Sequence, residues 1–119
     1  MIVLNCLELD GYHAECDALL EGFDFERFEL SFHALIEHTK VHFEHEERLM
    51  QRYSFYGLAE HQNEHRTILA EMSRFYVMAQ NGQKLFAKSY IQNGVKERLD
   101  LHIRMIDSQL AMFLKTHIA

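Results

Sequence analysis

Residues 42–65, HFEHEERLMQRYSFYGLAEHQNEH, carry four potential metal ligands in two helix-spaced pairs. His42 and Glu46 are four residues apart, and so are His61 and His65. On an α-helix four residues turn about 400° and rise about 6 Å, so each pair projects from one face, one turn above the other. Each pair can therefore grip one metal. Between the pairs, residues 54–57, SFYG, break the pattern with turn-prone residues and let the second helix fold back antiparallel to the first. The spacing predicts a helical hairpin with four ligands facing one another across it.

Outward from this stretch, the helix expected to end near Tyr53 presents Leu35, Thr39, His42, Glu46, Leu49 and Tyr53 as one inward stripe. The stripe turns polar where ligands would sit. Burying Glu46 there without a cation or partner would cost several kcal/mol. His33, His38 and His45 fall off the stripe and are read as surface histidines. The next helix is predicted from Leu58 to Asn81, closed by Gly82, and His61, His65, Ile68, Met72, Phe75 and Ala79 mark its inner face. It too is polar at one end only.

Upstream, residues 1–9 read as a short arm, and Asp10 is the expected N-cap of a first helix through YHAECDALLEGF, with His13, Cys16 or Asp17, and Leu20 facing inward. The turn that follows lies within residues 22–28. Gly22, Phe23 and Asp24 look like a helix stop and restart, whereas setting His13 level with His42 centres the turn near Arg27 and Phe28, and the geometric placement is preferred. Downstream, residues 83–94, QKLFAKSYIQNG, predict a short connecting helix around Leu85 to Ile91. The last main helix should run from about Val95 to Lys115 with Leu99, His102, Ile103, Ile106, Asp107, Leu110 and Leu114. His102 and Asp107 are five apart, about 140° around an α-helix, so spacing alone does not pair them.

At 119 residues, 48% hydrophobic and 25% charged, the chain fits one domain over residues 1–119. It has no proline, and its five glycines punctuate long stretches without strand-like alternation. The expected fold is all-α: an antiparallel up-down four-helix bundle with a short N-terminal arm and a short helical connection before the last helix. A formal net charge of −6 and the lack of any Lys/Arg cluster argue against nucleic acid or an anionic membrane as partner. Cys6 and Cys16 lack CxxC spacing and are read as reduced thiols. MIVLNCLELD has no basic n-region and only a short apolar run, so neither signal peptide nor membrane span is expected, and the cytoplasm is the expected compartment.

The order of these residues, a His in LDGYH, then HFEHEERLM, then EHQNEH, then LHIRMID, resembles the hemerythrin family, and most closely its single-domain bacterial members. The resemblance spans nearly the whole chain. It implies one iron held by His61, His65 and His102 and another by His13 and His42. Glu46 and Asp107 would bridge them beside an oxo or hydroxo bridge, and O2 would bind at the His13/His42 iron. A dry pocket of Cys16, Phe43, Leu99 and Ile103 is expected around that position, since each lies one residue or about one turn from a ligand. Two places depart from the family pattern. Arg98 stands where bacterial relatives commonly carry tryptophan, and Cys16 where the pocket is typically aliphatic, so a thiol there can tune the site or suffer oxidation.

The chemistry of the donors agrees, because imidazoles suit iron, zinc or copper while two carboxylates offset and can span two divalent ions. Ferritin-like di-iron oxidases use more carboxylates and Glu-x-x-His motifs, and no Glu-x-x-His occurs in this sequence. The expected function is reversible O2 binding without turnover, for storage, delivery or sensing. The alternatives are a di-iron enzyme acting on peroxide or nitric oxide, an iron-repair factor, and a bundle that binds zinc for structure or storage.

Overall fold

Without proline to interrupt the backbone ladder, long helices can form. The computed structural model describes residues 2–117, and among them the regular structure is all helix with no strand. Met1 of the predicted arm, with Ile118 and Ala119 of the predicted domain, lies outside the described residues. Four main helices carry the chain: α1 (Leu7–Glu21), α2 (Phe28–Arg52), α3 (Leu58–Gln80) and α4, residues 84–117. None of the described helices is long and apolar enough to cross a membrane.

α1 begins earlier than Asp10, with Cys6 at its N-cap. Asp10 is not the cap: from the first turn its carboxylate reaches back to accept the N–H of Leu4 at 2.9 Å and of Cys6 at 3.0 Å. Asp10 lies one residue past the N3 position of a capping box, and like the acid of such a box it accepts from the N-cap backbone at the helix start. The turn after α1 also corrects an expectation. Gly22 caps α1, and Asp24 accepts from Glu26 and Arg27 N–H at 3.0 and 3.3 Å to open a 3-10 turn, Phe25–Arg27. The stop and restart at Gly22 and Asp24 hold, and the turn is not centred at Arg27 and Phe28, because the 3-10 turn absorbs the residues between α1 and α2.

α2 and α3 end in one manner. Phe55 N–H donates to Met50 O at 2.8 Å across Ser54, and Gln83 N–H to Met78 O at 2.8 Å across Gly82. Both are Schellman closures, with φ of 54° at Ser54 and 87° at Gly82. The reversal at residues 54–57 falls where the sequence placed it.

The predicted connecting helix and last helix are one continuous helix, α4. It runs as α-helix Lys84–Ser89, a π turn Tyr90–Gly94, α-helix Val95–His102, a second π turn Ile103–Asp107 and α-helix Ser108–His117. Gly94 does not break it, since its φ of −64° and ψ of −45° are helical. A Cβ at Gly94 would lie 3.1 Å from Tyr90 Cδ1, so the glycine makes room for that ring instead.

The apolar core is in two parts. One holds Cys16, Phe32, Leu35, Phe43, Ile68, Met72, Val95 and Leu99 among others, and the second holds Cys6, Leu9, Met50, Phe55, Leu110, Ala111 and Leu114. Between Leu9 and Cys16 on α1 comes His13, between Phe43 and Met50 on α2 comes Glu46, and between Leu99 and Leu110 on α4 come His102 and Asp107. Every helix thus crosses a polar layer between the two apolar clusters.

Candidate metal centre

That polar layer is His13, His42, Glu46, His61, His65, His102 and Asp107, and none of the seven is more than 6% exposed. α1 supplies one imidazole, α2 and α3 supply their i,i+4 pairs, and α4 supplies His102 and Asp107. The last two share a face because of the π turn. Ser108 N–H donates to Ile103 O, five residues back, and this wider turn brings the fifth residue round to where an α-helix brings the fourth. His102 Nε2 then lies 3.0 Å from Asp107 Oδ1.

The carboxylates are each directed two ways. Glu46 Oε1 is 3.1 Å from both His61 Nε2 and His65 Nε2, while Oε2 meets His42 Nε2 and lies 3.8 Å from His13 Nε2. Asp107 Oδ1 is 2.9 Å from His61 Nε2 and 3.0 Å from His102 Nε2, while Oδ2 is 2.9 Å from His13 Nε2. The donor atoms fall into two groups, Glu46 with His61, His65, His102 and Asp107, and His13 with His42, Glu46 and Asp107, and within each group they lie within 4.8 Å of one another. Glu46 and Asp107 belong to both. Each group can hold a metal ion.

Hydrogen bonding accounts for only some of these contacts: His13 bonds Asp107 Oδ2, and His61 and His65 both bond Glu46 Oε1. His42 Nε2, His102 Nε2, Glu46 Oε2 and Asp107 Oδ1 are fully buried and make no hydrogen bond, although nitrogen and oxygen face each other at close range. Buried polar atoms are nearly always paired, and lone pairs that converge without a donor between them suit a cation. The electrostatics point the same way. Burial pushes the His13 and His61 imidazoles down, but the Glu46 and Asp107 carboxylates against them carry both up to about 9. Burial would raise Glu46, but the His42, His13 and His61 rings hold it well below the usual range. Burial and the Glu46 charge would raise Asp107, yet His102 and His13 bring it below its ordinary value. Without metal, the layer carries two anions and draws protons onto its imidazoles to balance them.

All seven sequence-predicted ligands converge. The four expected pocket residues, Cys16, Phe43, Leu99 and Ile103, line one cavity of about 20 Å³ that His13, His42, His102 and Asp107 also border. Phe43 lies flat on His65 with ring centroids 3.8 Å apart, and burial pushes the Cys16 thiol up to about 12, so it is neutral. Cys6 and Cys16 are both free and buried, as the reduced-thiol reading expects.

Other residues of the layer escaped the sequence reading. Glu47 accepts from His65 Nδ1–H at 2.9 Å and from Gln62 at 3.1 Å. Arg98 pairs with Glu64 at 2.7 Å, and Glu64 lies 3.6 Å from His102 Nδ1. The available signal was adjacency, since Glu47 follows Glu46 and Glu64 precedes His65. His33 is exposed as expected, but His38 and His45 are half-buried around the Tyr12 ring, which also stacks on His42 at 5.3 Å. They are not surface histidines, because α1 covers them. Compared with known protein families, with curated proteins and with solved structures, the chain matches none.

Proposed function

We propose that this chain is a hemerythrin-like di-iron protein that binds O2 reversibly, in the cytoplasm, where buried unpaired thiols stay reduced. The observation that carries the reading is the double direction of Glu46 and Asp107, each with one oxygen towards the three-histidine group and the other towards His13 and His42. His61, His65 and His102 would hold one iron and His13 and His42 the other, with both carboxylates and an oxo or hydroxo group between them. When bound, such a pair supplies reversible exchange of two electrons with O2. An antiparallel up-down bundle is supported by the alternating order in which successive helices meet the clusters: α1 passes Leu9 before Cys16, α2 Phe43 before Met50, α3 Leu58 before Ile68, α4 Leu99 before Leu110.

The residues around the centre favour binding over turnover. The cavity of about 20 Å³ is just above the volume that one water-sized molecule needs, which leaves no room for a larger substrate. Its inner walls are Phe43, Leu99, Ile103 and the neutral Cys16 thiol, and these exclude water from the ligand position. Metal analysis of protein produced with ample iron should find about two irons per chain, one for each donor group. Admitting air to the anaerobic diferrous protein should produce a visible charge-transfer band that disappears on deoxygenation. A single tightly bound metal, or zinc alone, sinks the di-iron reading. Irreversible oxidation with rapid turnover of peroxide or nitric oxide assigns the chain to the enzymes instead.

A further inference from the structure

The buried cavity has a neighbour. A cleft of about 280 Å³ opens between α1 and α4, lined on one side by Glu21 and Phe25 and on the other by Ile91 and Gln92. The cleft and the cavity share three walls, Asp17, Leu20 and Lys96. These three residues are therefore the partition between a surface cleft and the space beside His13 and His42. Lys96 Nζ sits 3.3 Å from Asp17 Oδ1 on α1 and 3.5 Å from Asp100 Oδ2 on its own helix, and Asp100 also lines the cavity.

We propose that small uncharged molecules reach the buried cavity from the α1–α4 cleft by passing between Leu20 and Lys96, and that Lys96, tied to Asp17 and Asp100, decides what is admitted. The proposal rests on the reading of the cavity as a ligand position, and it specifies which ligands that position can receive. The Lys96 side chain is 49% exposed and its partners 24% and 27%, and ion pairs so open to water hold weakly. Closed and open arrangements of Lys96 therefore exchange. Selectivity follows from size and charge. The cavity takes one molecule of about two heavy atoms, and an anion must pass two carboxylates before it meets apolar walls.

Cys16 lines the cavity, and Cys6 belongs to the other apolar cluster beside a separate surface pocket, so Cys16 reports on this passage and Cys6 is the control thiol away from it. The purified chain, with its metal as isolated, is treated with hydrogen peroxide, a neutral molecule of two heavy atoms, and oxidative modification of each cysteine is timed by mass spectrometry. Lys96→Ala removes both ion pairs, and modification of Cys16 should speed up about fivefold to tenfold while that of Cys6 stays at the parental rate. Lys96→Arg keeps both pairs and should keep Cys16 near the parental rate. An unchanged Cys16 rate in Lys96→Ala overturns the route, as does an acceleration shared by Cys6 or by Lys96→Arg. These rates do not require iron. A chain that takes up no iron but shows the Lys96 effect keeps the route and loses the O2 reading, and a chain with a reversible O2 band but no Lys96 effect does the reverse.

Discussion

At the scale of single residues, a ligand set is held by its neighbours as much as by its own spacing. Glu47 accepts from His65 Nδ1–H, which leaves Nε2 as the atom directed at Glu46. Such outer carboxylates fix the tautomer and the ring orientation of a ligating histidine. Glu47→Ala should weaken metal retention about 10- to 100-fold, read by competition with a chromogenic chelator, whereas the exposed Glu44→Ala should leave it unchanged. Equal release from both variants would reduce Glu47 to a surface acid. The seven candidate ligands were legible because each puts a polar group into an otherwise apolar stripe or fits the order expected from the family resemblance. Glu47 was not, because the residue beside a ligand lies about 100° around the helix and reads as solvated. His38 and His45 were misread for a related reason: nothing in the periodicity of α2 announces that Tyr12 of α1 lies against them.

Among the elements, α4 is the one whose form the sequence concealed. Residues 83–94 contain Gly94, which reads as a stop, but a helix tolerates a glycine that a neighbouring ring needs, here that of Tyr90. The second π turn, IRMID, has no breaker residue to announce it. The five-residue spacing of His102 and Asp107 was its one trace, and on an ideal α-helix it argued against pairing them. A π turn accommodates one residue more than an α turn, so removing one should restore a regular turn without moving what flanks it. Deletion of Met105, which is 60% exposed, leaves His102 and the aspartate four residues apart, about 400° and about 6 Å along, on one face still. That variant should keep its metal and its helical circular dichroism. Deletion of the exposed Glu97, in the regular segment Val95–His102, rotates everything before it by about 100° against everything after, and should lose the metal. If the Met105 deletion sheds metal as completely as the Glu97 deletion, the π turn supplies something other than register.

For the molecule as a whole, the consequence is a polar layer set between two apolar clusters, and its stability must depend on pH differently with and without metal. In the metal-free protein His13 and His61 titrate at about 9 against an ordinary value of 6.5, held up by Glu46 and Asp107. Their contribution is fully present below pH 6.5 and is lost as pH rises through 9. One such shift is of the order of 3 kcal/mol, and the two together are worth less than twice that because they share the same carboxylates. Glu46 and Asp107 are shifted the other way, so their contribution is present above the ordinary values of 4.5 and 3.8 and is lost as pH falls below them. The metal-free chain should therefore be most resistant to urea between about pH 4.5 and 6.5. Metal requires the same imidazoles deprotonated, so its binding gains as protons leave them and stabilises the folded chain further. Measured from pH 6.5 to 9, the urea midpoint of the metal-free protein should fall while the gap to the metal-loaded protein widens. A metal-free midpoint that stays level or climbs across that range would mean that His13 and His61 are neutral in the folded chain, and that the layer is held by hydrogen bonds alone.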